Sequence, residues 1–125
     1  MQLQSVSNYA NSIQRYINNP PNAPRVYIQN QEYTQTVILY ENNIETLDIH
    51  DINQLNQEHL CLILDKSPEI LIIGTGETQK FISPALYKNY IKSRIGIECM
   101  TNSAACRTYN ILLSEHRKVG LLLII

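Results

Sequence analysis

The pattern of apolar and polar positions changes character near the middle of the chain. In the second half, short continuous apolar runs alternate with amphipathic segments, and a run that is apolar throughout is typical of a strand buried on both faces. The predicted strands are Ile70–Ile73, Ile97–Met100 and Val119–Ile125. The predicted helices run from Ser83-Pro84 to about Arg94, and from a cap at Thr101 or Asn102 to about Glu115–His116. This βαβαβ order indicates parallel pairing through right-handed crossovers.

The first half is instead rich in short segments of β-branched and aromatic residues, separated by turns that contain asparagine. Strands are predicted over Val26–Ile28 and Tyr33–Tyr40, because these residue types favour strands. A third extended piece contains Ile44, Leu47 and Ile49. The predicted turns are Asn30–Gln31 and Asn42–Asn43, since asparagine tolerates positive φ. Together these segments predict an antiparallel meander.

A helix and three less regular segments complete the first half. Asp51 or Asn53 can cap a helix that continues to about Leu64 and stops at Ser67-Pro68. The other segments are Ile13–Ile17, which fits a strand or a helical turn, the turn-rich Asn18–Pro24, and the polar residues 1–11, which we expect to be loosely ordered. Residues 1–125 are expected to form a single domain.

The charge of the chain is balanced overall but unevenly placed. The net charge of −1 gives no bulk attraction to nucleic acid or to an anionic membrane, and no dense basic stripe suggests nucleic acid as a partner. Residues 1–65 hold two bases and seven acids, whereas residues 66–125 hold eight bases and four acids. The second half is therefore the better host for an anion. Scattered, solvated charges are the alternative explanation.

Cysteine usage and the apolar runs point to a cytoplasmic protein without an integral membrane segment. The three cysteines are odd in number and show no CxxC spacing, so we expect reduced thiols rather than a zinc site or disulfides. The histidines have no metal-ligand spacing, and no metal or cofactor is expected. The start of the chain lacks the apolar segment of a signal peptide. The longest apolar run, Leu121–Ile125, is far shorter than the roughly 20 residues that span a bilayer.

All four glycines lie in the second half, at positions 74, 76, 96 and 120, so unusual backbone is expected there. The loops Gly74–Gly76 and Met100–Ser103 each follow a predicted strand, and parallel α/β units bind ligands at that end of their strands. If the two strands are neighbours, loop amides and the free N–H groups of the next helix would form an anion-binding crevice. The alternative is that the glycines only make tight turns.

Two charged residues of this half are candidates for chemistry. Arg107 projects beside small and apolar positions of its helix, which suits a carboxylate, a phosphate or a partner's surface. An exposed arginine paired with Glu115 is the alternative. Glu98 lies in a short strand and either pairs with a base such as Arg107, acts as a general acid–base group, or simply faces solvent. Cys106, at the edge of the apolar face, is expected to behave as a small hydrophobic residue.

Three strings of the second half resemble a known family. They are PEILIIGTG at 68–76, GIECMT at 96–101 and AACRTYNIL at 104–112. The family consists of small single-domain proteins of unknown activity, and it includes a mitochondrial assembly factor for respiratory complex I and an adipogenesis-associated domain protein. The resemblance is strong over 68–125 and weaker over about 26–64. It implies a three-layer α/β domain with a central mixed sheet and an N-terminal β-meander.

The resemblance also implies a pocket near the GTG loop and the helix that carries Arg107. The corresponding ligand-binding residues are Gly74, Thr75, Gly76, Glu98, Met100, Thr101, Ala105, Arg107 and Tyr109. No established catalytic chemistry comes with the family. The sequence therefore supports two hypotheses, a protein-binding module that resembles an assembly factor, and a small-molecule anion site or uncharacterised enzyme between Gly74–Gly76 and Arg107.

Overall fold

The computed structural model describes residues 11–21 and 23–125, so most of the predicted loose segment 1–11 lies outside the described residues. The strands are β1 (Arg15–Ile17), β2 (Arg25–Ile28), β3 (Gln31–Tyr33), β4 (Thr36–Tyr40), β5 (Asn43–Leu47), β6 (Ile70–Gly74), β7 (Gly96–Met100) and β8 (Val119–Leu123). The α-helices are α1 (Gln57–Leu64) and α2 (Asn102–Ser114), and the 3-10 segments are Ile52–Gln54 and Pro84–Ser93.

A five-stranded mixed sheet in the order β5-β4-β8-β6-β7 forms the centre. The strands β6, β7 and β8 pair in parallel, as the sequence predicts, and β4 pairs antiparallel with both β5 and β8. From β6 the chain crosses to β7 on one face of the sheet, and from β7 it returns past β6 to β8 on the other face. Two crossovers of the same hand that run in opposite directions along a sheet must lie on opposite faces.

Side chains of the central strands alternate between the two faces of the sheet, as the pleat dictates. Val37, Leu39 and Ile72 pack on one side with the apolar face of α2 and the N-terminal strands. Ile38, Leu71 and Ile73 pack on the other side against α1 and the Pro84–Ser93 segment. The three-layer α/β fold with a central mixed sheet is confirmed.

The N-terminal strands form a second, three-stranded antiparallel sheet in the order β1-β2-β3. Ile13–Ile17 is thus a strand in its second half rather than a helical turn. The prediction of a single strand over Tyr33–Tyr40 is wrong, because residues 34–35 interrupt it and the strands on either side pair in different sheets. The first turn is Gln29–Asn30, both with positive φ, one residue earlier than predicted.

The helical segments also differ from those predicted from the sequence. The segment after Asp51 begins as a 3-10 turn capped by Asp51, and a separate cap at Asn56 starts α1. The segment capped by Ser83 is 3-10 rather than α, with a kink where Tyr87 adopts φ −126°. Thr101 caps α2, as predicted. Unusual backbone is not confined to the second half, since Gln29, Asn30 and Glu41 all have positive φ.

Candidate functional site

The loop after β6 and the start of α2 meet at one rim of the central sheet. Because β6 and β7 are neighbours, the N–H of Thr75 donates to the carbonyl of Met100 at 2.9 Å. The N–H of Asn102 then donates to the carbonyl of Gly76 at 2.8 Å. The juxtaposition that the strand order predicts is confirmed.

The side chain of Asn102 holds this rim together. It is 1% exposed, and its Oδ1 accepts the N–H of Gly76 at 2.9 Å. Its Nδ2 donates to the carbonyl of Ile124 at 2.8 Å and to the hydroxyl of Tyr16 at 3.1 Å. One amide therefore connects the glycine loop, the segment after β8 and the N-terminal sheet.

These contacts change the predicted role of the rim. The amides of Thr75, Gly76 and Asn102 all donate to protein oxygens already, so they do not form the free cradle that the glycine loop suggests. Gly74 is needed for close approach, because a Cβ there would lie 2.5 Å from Asn102 Oδ1 and 2.6 Å from Leu123 Cδ1. Gly76 is needed for its φ of 108°.

A cavity of about 790 Å³ opens beside the rim, between the central sheet and the N-terminal sheet. Its wall includes Thr75 and Gly76 from the loop, and Asn102 from α2. The hydroxyl of Thr75 is occupied, since it donates to the carbonyl of Thr78 at 2.8 Å and accepts the N–H of Lys80 at 3.0 Å. The cavity also contains the ionisable side chains of Tyr16, Arg25, Glu32, His50, Asp51, Glu77 and Lys80.

Most of these ionisable groups already have protein partners. The guanidinium of Arg25 pairs with Glu32 at 3.7 Å and donates to the carbonyls of Asn19 and Ala23. The hydroxyl of Tyr16 donates to Glu77 at 2.5 Å, and burial together with this bond raises the pKa of Tyr16 well above its ordinary value. The ammonium of Lys80, by contrast, takes part in none of the ion pairs among the described residues.

Arg107 lies on a different surface from the loop Gly74–Gly76, so the structure does not bring these two parts of the predicted site together in one cavity. Arg107 lines a separate depression of about 250 Å³ with residues of β1 and α2, and it is absent from the wall of the larger cavity. The reason is helical geometry: the five residues from Asn102 to Arg107 turn the side chain about 140° around the helix axis.

The other predicted residues serve mainly in the fold. Ala105 and Tyr109 are fully buried under the sheet, and burial raises the pKa of Tyr109 above its ordinary value. Thr101 is the cap of α2, and Met100 contributes its carbonyl to the rim. Glu98 is exposed on β7 and makes no ion pair with a described residue, which matches the solvent-facing alternative.

Neither the cysteines nor the histidines assemble a reactive centre in the described part of the chain. Burial raises the pKa of the Cys106 thiol to about 12, despite the opposing effect of the Arg107 charge. No group of three or more potential ligands is placed to hold a metal ion among residues 11–21 and 23–125.

Sequence reasoning missed Tyr16 and Glu77, and it treated Asn102 only as a possible cap. Tyr16 lies in a three-residue strand, which is too short to show periodicity, and its partner Asn102 is 86 residues away in the chain. Asn102 carried a usable signal, because an asparagine just inside a helix that follows a strand can satisfy backbone groups of the adjoining loop.

Comparison with known proteins identifies the family. Residues 22–124 match a family described as "Protein of unknown function (DUF498/DUF598)". The chain belongs to this family. The family resemblance seen in the sequence is thereby confirmed, including its link to complex I assembly factors.

Relatives within DUF498/DUF598 carry different names. The "13 kDa major membrane protein" of Francisella tularensis is 37% identical over 95 residues, or 74% of this chain and 77% of that protein. "NADH dehydrogenase (ubiquinone) 1 alpha subcomplex assembly factor 3" of Xenopus tropicalis is 32% identical over 72 residues, or 56% of this chain. The chain covers 39% of that assembly factor's length.

A solved structure agrees on the fold. The Bordetella pertussis protein described as a Mth938-like domain superposes with a TM-score of 0.76 at 18% identity, covering 92% of this chain and 85% of that one. At this identity the likeness concerns the fold alone. In the described residues of this chain, none of the helices has the length and apolar character needed to cross a bilayer.

Proposed function

We propose that the chain is a protein-binding module that acts as an assembly factor, and that it docks its partner on the outer face of α2. The observation that carries the proposal is the pairing of Arg107 with Ile111 on that face. The two residues are one helical turn apart, and Ile111 is 58% exposed. Assembly-factor relatives in the same family support this reading.

The composition of α2 sets this face apart. Arg107 is the only charged residue within Asn102–Ser114, and its neighbours on the helix are small, apolar or amide side chains. Arginine is enriched among the residues that dominate binding at protein interfaces, and an exposed apolar side chain beside it adds area that a partner would bury. Ala105, Cys106 and Tyr109 occupy the buried side of the helix, whereas Arg107 and Ile111 are exposed on the outer face.

Capture of partners from extracts of the native host tests the proposal. We expect at least one protein captured by the tagged wild-type chain to be lost, about tenfold or more, with Arg107→Glu and with Ile111→Asp. Arg94→Glu is the matched control, because Arg94 is also exposed but lies just before β7, at the opposite end of that strand from the start of α2. Retention of every captured protein by both α2 variants would rule out docking on this face.

A second candidate function is small-molecule binding in the 790 Å³ cavity. Its volume lies within the range of about 300–1,000 Å³ that is usual for ligand sites. Its wall carries three carboxylates, but the ammonium of Lys80 makes no ion pair with a described residue, so this cation is the group on which binding of an anion would depend. Thr75 and Gly76 line this cavity, and Arg107 does not.

A thermal-shift screen with anionic metabolites tests this second candidate. A ligand present at 100 times its Kd stabilises the folded chain by about 2.7 kcal/mol. We expect Lys80→Gln to abolish the shift and Lys88→Gln, which removes an exposed charge elsewhere, to preserve it. Absence of any shift, or an equal shift in Lys80→Gln, would remove this candidate.

With either function we propose a cytoplasmic location, which the three free thiols favour.

A further inference from the structure

The small depression beside Arg107 is a built feature shared by two elements. Arg15 of β1 and Arg107 of α2 both line it. The backbone N–H of Ile13 donates to Asn110 Oδ1 at 2.8 Å, and Asn110 Nδ2 donates to the carbonyl of Ile13 at 2.8 Å. This reciprocal pair fastens the chain just before β1 to α2, so the backbone positions of the two arginines are fixed relative to each other.

No acidic side chain neutralises the two guanidinium groups. Neither Arg15 nor Arg107 takes part in an ion pair among the described residues, and the wall of the depression contains no carboxylate. Residues 1–10 and Asn22, which lie outside the described part, carry no acidic side chain either. Two like charges at one depression repel each other unless an anion joins them.

Arg15 is also held in position for a ligand. Its guanidinium carbon lies 4.7 Å from the centre of the Tyr27 ring, and the Tyr27 hydroxyl in turn donates to Glu32 at 2.8 Å. Stacking uses the face of the guanidinium and leaves the N–H groups at its edge available. An oxyanion placed in the depression would therefore meet donors that need little reordering.

We infer that Arg15 and Arg107 together form an oxyanion site that binds a carboxylate side chain of the partner protein. This inference rests on the proposed function, because it names the chemistry of the partner. The exposed Ile111, one turn beyond Arg107, favours an acidic segment that carries an apolar residue next to its carboxylates. An inorganic ion would make no use of that apolar contact.

Side-chain NMR of the arginine Nε–H groups tests the site directly. The wild-type chain is titrated with a short peptide containing Glu-Glu-Leu, and in parallel with its Gln-Gln-Leu counterpart and with inorganic phosphate. We expect the Glu peptide to shift the Arg15 and Arg107 signals in a saturable manner and the Gln peptide to leave them in place. Arg107→Gln and Arg15→Gln should each weaken Glu-peptide binding about tenfold.

Two controls separate this site from general charge attraction. Arg94→Gln removes the same charge elsewhere and should leave peptide affinity unchanged, and Arg107→Lys should recover only part of it because the planar fork is lost. Equal weakening by Arg94→Gln, or shifts with phosphate but not with the Glu peptide, would overturn the inference. If the Glu peptide binds but Arg107→Glu leaves partner capture unaffected, the proposed docking face is refuted and the oxyanion site is not.

Discussion

Replacing Asn102 with alanine should destabilise the fold more than the same substitution at the next residue, Ser103. The variant leaves the N–H of Gly76 and the carbonyl of Ile124 without their amide partner, while Tyr16 keeps its bond to Glu77. Each backbone group orphaned in a buried place costs about 1–3 kcal/mol. Because Asn102 is 1% exposed and two such groups lose their partner, we expect a total loss of about 3 kcal/mol.

Urea denaturation followed by circular dichroism measures this loss, and thermal unfolding provides a second measure. For 125 residues the unfolding entropy is about 0.26 kcal/mol/K, so about 3 kcal/mol corresponds to a fall in Tm of about 11 °C. Ser103→Ala is the control, since Ser103 is the next residue but is exposed. A loss below about 1 kcal/mol for Asn102→Ala, or one no larger than that of Ser103→Ala, would refute the role assigned to this amide.

Three further predictions address single groups. Gly74→Ala should lower the free energy of unfolding, measured by urea denaturation, by about 2 kcal/mol, because the new Cβ collides with Asn102 and Leu123. Gly96→Ala is the control and should cost less than half as much, since a Cβ there lies no nearer than 3.5 Å to another part of the chain. Equal costs would contradict this. Iodoacetamide at pH 8 should label the half-buried Cys61 in the folded chain but spare the buried Cys106. With a pKa of about 12, roughly one Cys106 side chain in 10⁴ is a thiolate at this pH. Equal labelling rates would show that Cys106 is not buried in this way. Because the pKa of Tyr109 is raised by burial, the folded state keeps this proton to a higher pH than the unfolded state, and stability is lost as pH rises above about 10. Tyr109→Phe should therefore make the fall of the unfolding free energy with pH less steep, by up to roughly 1.4 kcal/mol per pH unit. An unchanged slope would contradict this.

The architecture of the second half was predictable because its signals are local. Continuous apolar runs mark β6 and β8, and the polar caps Ser83 and Thr101 mark where the following segments begin. The 3-10 geometry of Pro84–Ser93 leaves no such mark, because the apolar spacing of a short amphipathic segment fits either helix type. The division of Tyr33–Tyr40 between two sheets was also hidden, since β4 joins the central sheet by pairing with β8, far later in the chain.

The candidate site was predictable only in part. The meeting of Gly74–Gly76 with the start of α2 follows from strand order and helix capping. The five-residue spacing between Asn102 and Arg107 implies that they project from different sides of α2, which explains why Arg107 is absent from the cavity that Asn102 lines. The pairing of Arg15 with Arg107 has no local signal, because it requires the fold to bring β1 against a helix almost a hundred residues later.

The position of β8 has a consequence for how the chain reaches its native state. β8 is the only described strand that bonds both to the antiparallel hairpin β4–β5 and to the parallel pair β6–β7, yet every other described strand precedes it in the chain. Those two halves of the central sheet have no backbone pairing with each other until β8 inserts between them. Pairing between strands so far apart in the chain, as between β4 and β8, slows folding. A ribosome-bound chain that has not yet exposed β8 would therefore present two open strand edges to chaperones.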